Sequence, residues 1–282
     1  MSVKDNVIYQ KMKVAPGVYV PDVGMDYPVD DPFTRIFPAP IVKDVDFDNY
    51  PYLDDSLSFK LKRLWVRFLT FGPLFLMNRL VYGIRFEGRG ILKKYRKELA
   101  DGAVVVCNHC YKFDGMAVAE ALHRMLWIPM LKDHFQGPSW WLLTHFGGIP
   151  VPDTMSALKK FNDAFDEHNR RKEWILIFPE ARSWLFYKPL KPFRKGAFTM
   201  AYKYGCPVLP LNISFRSRTG IHKLFGKAEI PLVTVKIGEP IFTDKGNPRK
   251  TEVEELRQKS HKAICELAGI IENPWPAKWN ED

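Results

Sequence analysis

The chain has 282 residues, of which 46% are hydrophobic, enough to bury one large core and too apolar for general disorder. Its 42 Lys and Arg against 32 Asp and Glu leave a net charge of +10, which points to an acidic partner: a phosphorylated substrate, an anionic membrane surface or nucleic acid. Four Cys in so long a chain exclude a disulfide framework, and the polar start Met1–Lys13 has no apolar run of signal-peptide length, which predicts a place in the cytosol or on the cytosolic face of a membrane.

In chain order, residues 1–56 form an extended arm, because Pro16, Pro21, Pro28, Pro32, Pro38, Pro40 and Pro51 break helical and central-strand patterns. Residues 57–86 turn aromatic, aliphatic and basic. The longest uncharged run there, Phe68–Asn78, falls short of the roughly 18 residues a spanning helix needs. Gly72-Pro73 divides it, so an apolar helical hairpin lying in the membrane interface is predicted, with Lys60, Lys62, Arg63, Arg67, Arg79 and Arg85 among headgroups. A pair of helices packed under the domain is the plain alternative. Residues 87–282 alternate as an α/β domain, with strands at 103–107, 127–131, 174–178, 208–213 and 232–237. Helices are predicted at 114–125, 138–146, 154–171, 196–204 and 250–271. Crossovers of this length predict an α/β fold with a mostly parallel central sheet flanked by helices.

The chemistry gathers at strand ends. After the apolar run Ala103–Val106 come Asn108-His109-Cys110-Tyr111-Lys112-Phe113-Asp114-Gly115. Five residues along one helix is about 500°, roughly 140° off-face, so His109 and Asp114 meet only if a turn separates them and Asp114 opens the next helix. A His on a tight turn with an Asp at a helix start makes an acid–base site. Cys107 and Cys110 form a Cys-x-x-Cys that also reads as a thiol redox pair, whereas Cys206 and Cys265 lie too far apart to complete a zinc set. Farther on, the buried-type strand Trp174–Phe178 stops at Pro179 and presents Glu180 and Arg182 at its C-terminal end, where open α/β sheets bind ligands; a surface ion pair is the plain reading of the two. The next loop places Lys188, Lys191, Arg194 and Lys195 before a helix starting near Gly196, a sensible anion site.

These blocks resemble, in order and spacing over residues 60–240, the glycerolipid acyltransferase family that includes the lysophosphatidic acid acyltransferases. Its His-x4-Asp motif is matched by His109 and Asp114, its Phe-Pro-Glu-Gly-Thr-Arg-Ser block by Phe178-Pro179-Glu180-Ala181-Arg182-Ser183, and its fourth motif by Cys206-Pro207-Val208-Leu209-Pro210-Leu211. The resemblance implies that His109 is a general base, that Asp114 orients it, and that Glu180 helps hold the site's geometry. Gly148, Glu180, Arg182, Arg194 and Lys195 are then the substrate-binding residues. The implied donor is acyl-CoA or acyl carrier protein, the acceptor a lysophospholipid or related hydroxyl, with no metal and no cofactor beyond the donor. Two blocks depart from the pattern. Ala181 replaces a Gly and one residue is missing before Arg182; in Phe146–Asp153, Asp153 replaces the Arg that engages the acceptor's phosphate. Either Lys159 or Lys160 reaches that phosphate or the acceptor lacks one. A catalytically impaired membrane-binding module and the Cys107/Cys110 redox protein remain as alternatives; nucleic acid is set aside because none of its motif signatures is present.

Overall fold

The protein is described from a computed structural model covering residues 5–37 and 40–279; residues 1–4, Pro38 among 38–39, and 280–282 lie outside the described residues. The arm carries α1 (Val7–Gln10) and β1 (Lys13–Val14) and leads to α2 (Leu57–Phe71) and α3 (Pro73–Val81). The α/β part begins with β2 (Arg85–Glu87), α4 (Arg89–Lys94), β3 (Val104–Cys107), α5 (Asp114–Leu122) and β4 (Ile128–Leu131). It continues through α6 (Asp133–Gln136), α7 (Trp140–Phe146), β5 (Gly148–Val151), α8 (Met155–Arg170) and β6 (Ile175–Ile177). It ends with α9 (Gly196–Tyr204), β7 (Val208–Arg216), β8 (Leu232–Ile237), α10 (Arg249–Ala268) and β9 (Ile270–Glu272).

The central sheet has the order β2-β8-β7-β3-β6. All its pairings are parallel except the β7–β8 pair. A parallel bridge between Trp127 and Ile175 carries the β4–β5 pair onto its edge beside β6. Valine's branched Cβ suits β3 to a strand covered on both faces. Val105 and Cys107 point into a core with Ala117, Val118 and Ala121 of α5, whereas Val104 and Val106 point the other way onto Phe198 of α9 and Leu256 of α10. Helix α5 stops at Leu122, earlier than the apolar pattern predicts, because His123 takes a left-handed φ of 52° and turns the chain toward β4. Thr154 starts α8 by accepting the Ala157 N–H.

Helices α2 and α3 depart from the expected hairpin. They are joined through the single residue Gly72, and helical hydrogen bonds cross the join, from Gly72 N–H to Phe68 O and from Leu76 N–H to Gly72 O. The pair is one bent helical element, kinked at Gly72-Pro73. By length and composition, Leu57–Val81 is long and apolar enough to cross a membrane, contrary to the expectation from its uncharged run alone. Its inner face, however, is fastened to the domain: Val66, Thr70 and Asn78 are buried, and the Arg63 guanidinium donates to Phe146 O and lies 3.9 Å over the Trp127 ring. The outer face leaves Leu57, Leu61, Leu64, Trp65, Phe68 and Leu76 exposed, Trp65 at 54% and Phe68 at 57%.

The arm wraps the domain and is not wholly irregular, since Asn6 caps α1 and β1 pairs antiparallel with β9. Tyr9 and Tyr27 bury against Trp184, Tyr187 and Trp275, and the Tyr27 hydroxyl donates to Leu185 O at 2.6 Å.

Candidate active site

The turn after β3 is pinned by one side chain. Asn108 donates from Nδ2 to Ile213 O at 2.9 Å and accepts the Ile213 N–H at 2.7 Å, locking the turn to β7 like an extra rung of the sheet. With the turn fixed, His109 and Asp114 meet as the spacing requires, Nδ1 to Oδ2 at 2.5 Å. Asp114 opens α5 and is 2% exposed, whereas the His109 side chain keeps 26% of its surface open and stacks on Phe178 at 4.4 Å between ring centres. Burial pushes the Asp114 carboxyl up, and the peptide N–H groups of Tyr111 and Cys110 pull it down. Those N–H groups favour the charge on Asp114 and the shared proton on Nδ1, which leaves Nε2 with a lone pair. Burial, and after it the Lys191 ammonium, push the His109 imidazole below its usual range.

Glu180 and Lys191 hold the turn from below. Glu180 is buried; its Oε1 accepts the His109 N–H at 3.2 Å, and its Oε2 stands 3.8 Å from Lys191 Nζ. Lys191 is fully buried, donates to Arg182 O at 2.5 Å and lies 4.4 Å over the Trp184 ring. Burial drives Glu180 up, to about 7, against the pull of Lys191, and drives Lys191 down, to about 8, against the pull of Glu180. The segment is closed by Trp184 N–H to His109 O at 3.1 Å and Phe186 N–H to Cys110 O at 2.7 Å. Ala181, where the resemblance expects Gly, takes a left-handed φ of 60°, so the backbone shape that favours Gly is kept with a methyl group in it.

The remaining predicted residues are placed unevenly. Arg182 is half-buried and, among the described residues, its guanidinium has no carboxylate partner. Arg194 is exposed; its backbone N–H reaches Pro179 O, but its guanidinium stacks on Phe33 of the arm at 3.7 Å. Lys195, at the start of α9, points away and lines a groove with Thr199, Arg249 and Val253, because α9 presents that side to α10. Lys188 turns inward and donates to Ala268 O at the end of α10. The four-cation anion site expected of this loop is therefore not assembled. Gly148 starts β5, across β6 and β4 from β3, so it stands about 14 Å from the His109 strand at the usual strand spacing. A Cβ there would come within 2.9 Å of Leu143 O, so packing alone already requires a glycine at this position. Asp153 is paired with Lys132. Lys159 pairs with Asp163 at 2.8 Å and Lys160 donates to Asp48 O at 2.6 Å, both on the exposed surface.

Cys107 and Cys110 are both free and buried, and burial pushes both thiols well above their usual range, with Asp114 and Glu180 adding to it. Thiol exchange needs a thiolate, so this arrangement disfavours the redox reading. Lys191 was read from sequence only as one of the loop's four anion-binding cations, and Asn108 and Trp184 were given no role; a Lys set between Pro189-Leu190 and Pro192-Phe193 was the available signal that one cation of the loop faces inward.

The imidazole must be unprotonated to accept a proton, and its surroundings disfavour the cation. The acid limb of kcat/KM is therefore expected below pH 6.5, the ordinary histidine range; a pH–rate profile with its midpoint at or above that value contradicts this environment.

Residues 84–214 match the family model described as Acyltransferase. The chain is 26% identical over 215 residues to a 1-acyl-sn-glycerol-3-phosphate acyltransferase of Pseudomonas aeruginosa, covering 73% of this chain and 76% of that one. It is 27% identical over 198 residues to the Escherichia coli K12 protein of the same description, covering 66% and 74%. A solved structure, the 1-acyl-sn-glycerophosphate (LPA) acyltransferase of Thermotoga maritima, is similar with a TM-score of 0.49 and 18% identity over 77% of this chain and 85% of that one.

Proposed function

We propose, on the premise that this chain belongs to the glycerolipid acyltransferase family and is an acyltransferase, that it moves a fatty acyl group from acyl-CoA or acyl carrier protein to a hydroxyl of a lysophospholipid, with lysophosphatidic acid the first acceptor to try. The observation that carries this reading is the 2.5 Å contact between His109 Nδ1 and Asp114 Oδ2, with Nε2 free of protein partners among the described residues.

In this mechanism Nε2 takes the proton of the acceptor hydroxyl while its oxygen bonds to the thioester carbonyl carbon. Asp114 keeps the ring in the required tautomer and offsets the charge it gains. The carbon–sulfur bond then breaks, and the imidazolium returns its proton to the departing thiolate, so ester and free thiol form with the enzyme unchanged. No group beyond the two substrates enters these steps. Asp153 stands where the family has an Arg and is paired with Lys132, so an acceptor phosphate would rely on the half-buried Arg182. Incubation of purified protein with labelled acyl-CoA and a panel of lysolipids tests the reading; no ester product from any of them rejects it.

The exposed face of α2 and α3 supports a seat on the cytosolic surface of a membrane, with Leu61, Leu64, Trp65 and Phe68 in the acyl boundary. Phe71 and Phe75 do not belong to that face, since they are half-buried against His123 and Phe86. Changing Leu61, Leu64, Trp65 and Phe68 together to Ser is expected to abolish flotation with liposomes and to leave the unfolding temperature within a few degrees of the parent. An unfolded variant would return those side chains to the core.

A further inference from the structure

We propose that a cavity at the β2 edge of the sheet, beside α3 and apart from the acyl-transfer site, binds the phosphate of an anionic phospholipid headgroup; this rests on the membrane reading above. The cavity has a volume of about 530 Å³ and gathers Arg79, Arg85, Arg89 and His222 around one opening, with Phe86 and Glu87 beside them. None of the residues around His109 lines it.

Its charge is only partly compensated, by Glu87 at the opening and by the Glu120 carboxylate near Arg89. Arg79 donates to Ile84 O at 2.9 Å, and Arg89 donates to Ala121 O at 3.0 Å and Glu120 O at 2.6 Å. These acceptors are neutral carbonyls. No carboxylate among the described residues forms an ion pair with Arg79, Arg85 or Arg89. Glu87 stands 3.9 Å from Lys236, and the Glu120 carboxylate accepts from Asn78. Burial first and then Arg79 push Arg89 down against the pull of Glu120, and burial first and then Arg85 push Arg216 down against the pull of Glu87, as expected of guanidinium groups held near one another. Gathered like charges repel, and an anion between them removes that cost. The planar fork of a guanidinium fits two oxygens of a phosphate.

The position selects a lipid as the source of the anion. Phe86 of the cavity stacks on Phe75 of α3, 6.4 Å between ring centres and 15° between planes, and Leu76 and Leu80 of the same helix are exposed. With those leucines in the acyl boundary, the arginines stand at headgroup depth. His222 is fixed there by donating from Nδ1 to Leu80 O at 2.9 Å. Gly83, at a φ of +53°, lets the chain turn against the ring, since a Cβ would lie 3.0 Å from His222 Nε2.

The test is flotation of the full-length protein with vesicles of phosphatidylcholine, alone or mixed with phosphatidylglycerol. Arg79→Gln/Arg85→Gln is compared with Lys62→Gln/Arg67→Gln, which removes the same charge from α2 outside the cavity. The first variant is expected to lose about tenfold in affinity for the mixed vesicles and the second about threefold or less, with binding to neutral vesicles unchanged in both. Arg85→Gln alone, which disturbs no hydrogen bond of the fold, is expected to show the larger part of the loss. Equal losses in the two double variants would mean diffuse surface charge and overturn the site while leaving the membrane reading intact. A parent protein that floats with neither vesicle overturns the membrane reading and the site with it. Coenzyme A raising the unfolding temperature of the parent but not of Arg79→Gln/Arg85→Gln, without vesicles, would assign the cavity to a soluble phosphorylated ligand and also overturn the proposal.

Discussion

His109→Ala is expected to lower kcat by about 10²–10⁴-fold, the range a positioned general base supplies, with KM for the acyl donor little changed. The ring stacks on Phe178 and is a quarter exposed, so the variant should still fold and float with liposomes. Asp114→Asn should fall in the same range, because an amide can offer its N–H to Nδ1 and stabilise the tautomer that protonates Nε2. Cys107→Ser and Cys110→Ser should retain most activity if the thiols serve only as packing. Full activity in His109→Ala, assayed by ester formation from labelled acyl-CoA, removes the base from the mechanism.

Lys191→Met is expected to be the most destabilising single change near the site, by about 3–5 kcal/mol, because it leaves the Glu180 carboxylate buried without its partner. It also removes the donor to Arg182 O and the cation over Trp184. Adding Glu180→Gln should recover part of that loss, since a neutral amide oxygen can still accept the His109 N–H without a buried charge. Urea unfolding of the two single variants and the double variant measures the coupling. A Lys191→Met loss under about 1 kcal/mol would mean that water already shields the pair.

Four strands of the central sheet, β3, β6, β7 and β8, were legible because each is a short apolar run bounded by turn residues, whereas β2, with Arg85 and Glu87 either side of Phe86, was missed at the end of the segment expected as a hairpin over 57–86; the predicted range 232–237 coincides with β8, and the predicted helix 196–204 with α9. The antiparallel β7–β8 pairing was not legible, since strand direction depends on a connection, residues 217–231, that carries no regular period. The meeting of His109 and Asp114 could be inferred from spacing, because both lie within one turn. The anion site could not, because Lys188, Lys191, Arg194 and Lys195 differ only in which way a loop turns them, and two of the four face inward. Gly148 is a similar case: a glycine that admits a ligand and one that admits Leu143 O look the same in sequence. The exposed face of α2 was visible as composition, but which aromatics face outward needed the inner contacts of Val66, Phe71 and Phe75.

The arm's hold on the site has a kinetic consequence. Trp184, whose N–H closes the turn at His109, gives its indole N–H to Thr34 O, a partner 150 residues earlier in the chain. The arm is also stitched to the far end by β1 and β9, where Lys13 meets Glu272 across 259 residues. Contacts of such long range must wait for loop closure and for the strands between them, which places them late on the folding route. A ribosome would therefore release the arm first and see it seated last. Until then the turn at His109 has its floor of Glu180 and Lys191 but lacks the wall that Thr34 and Tyr27 supply.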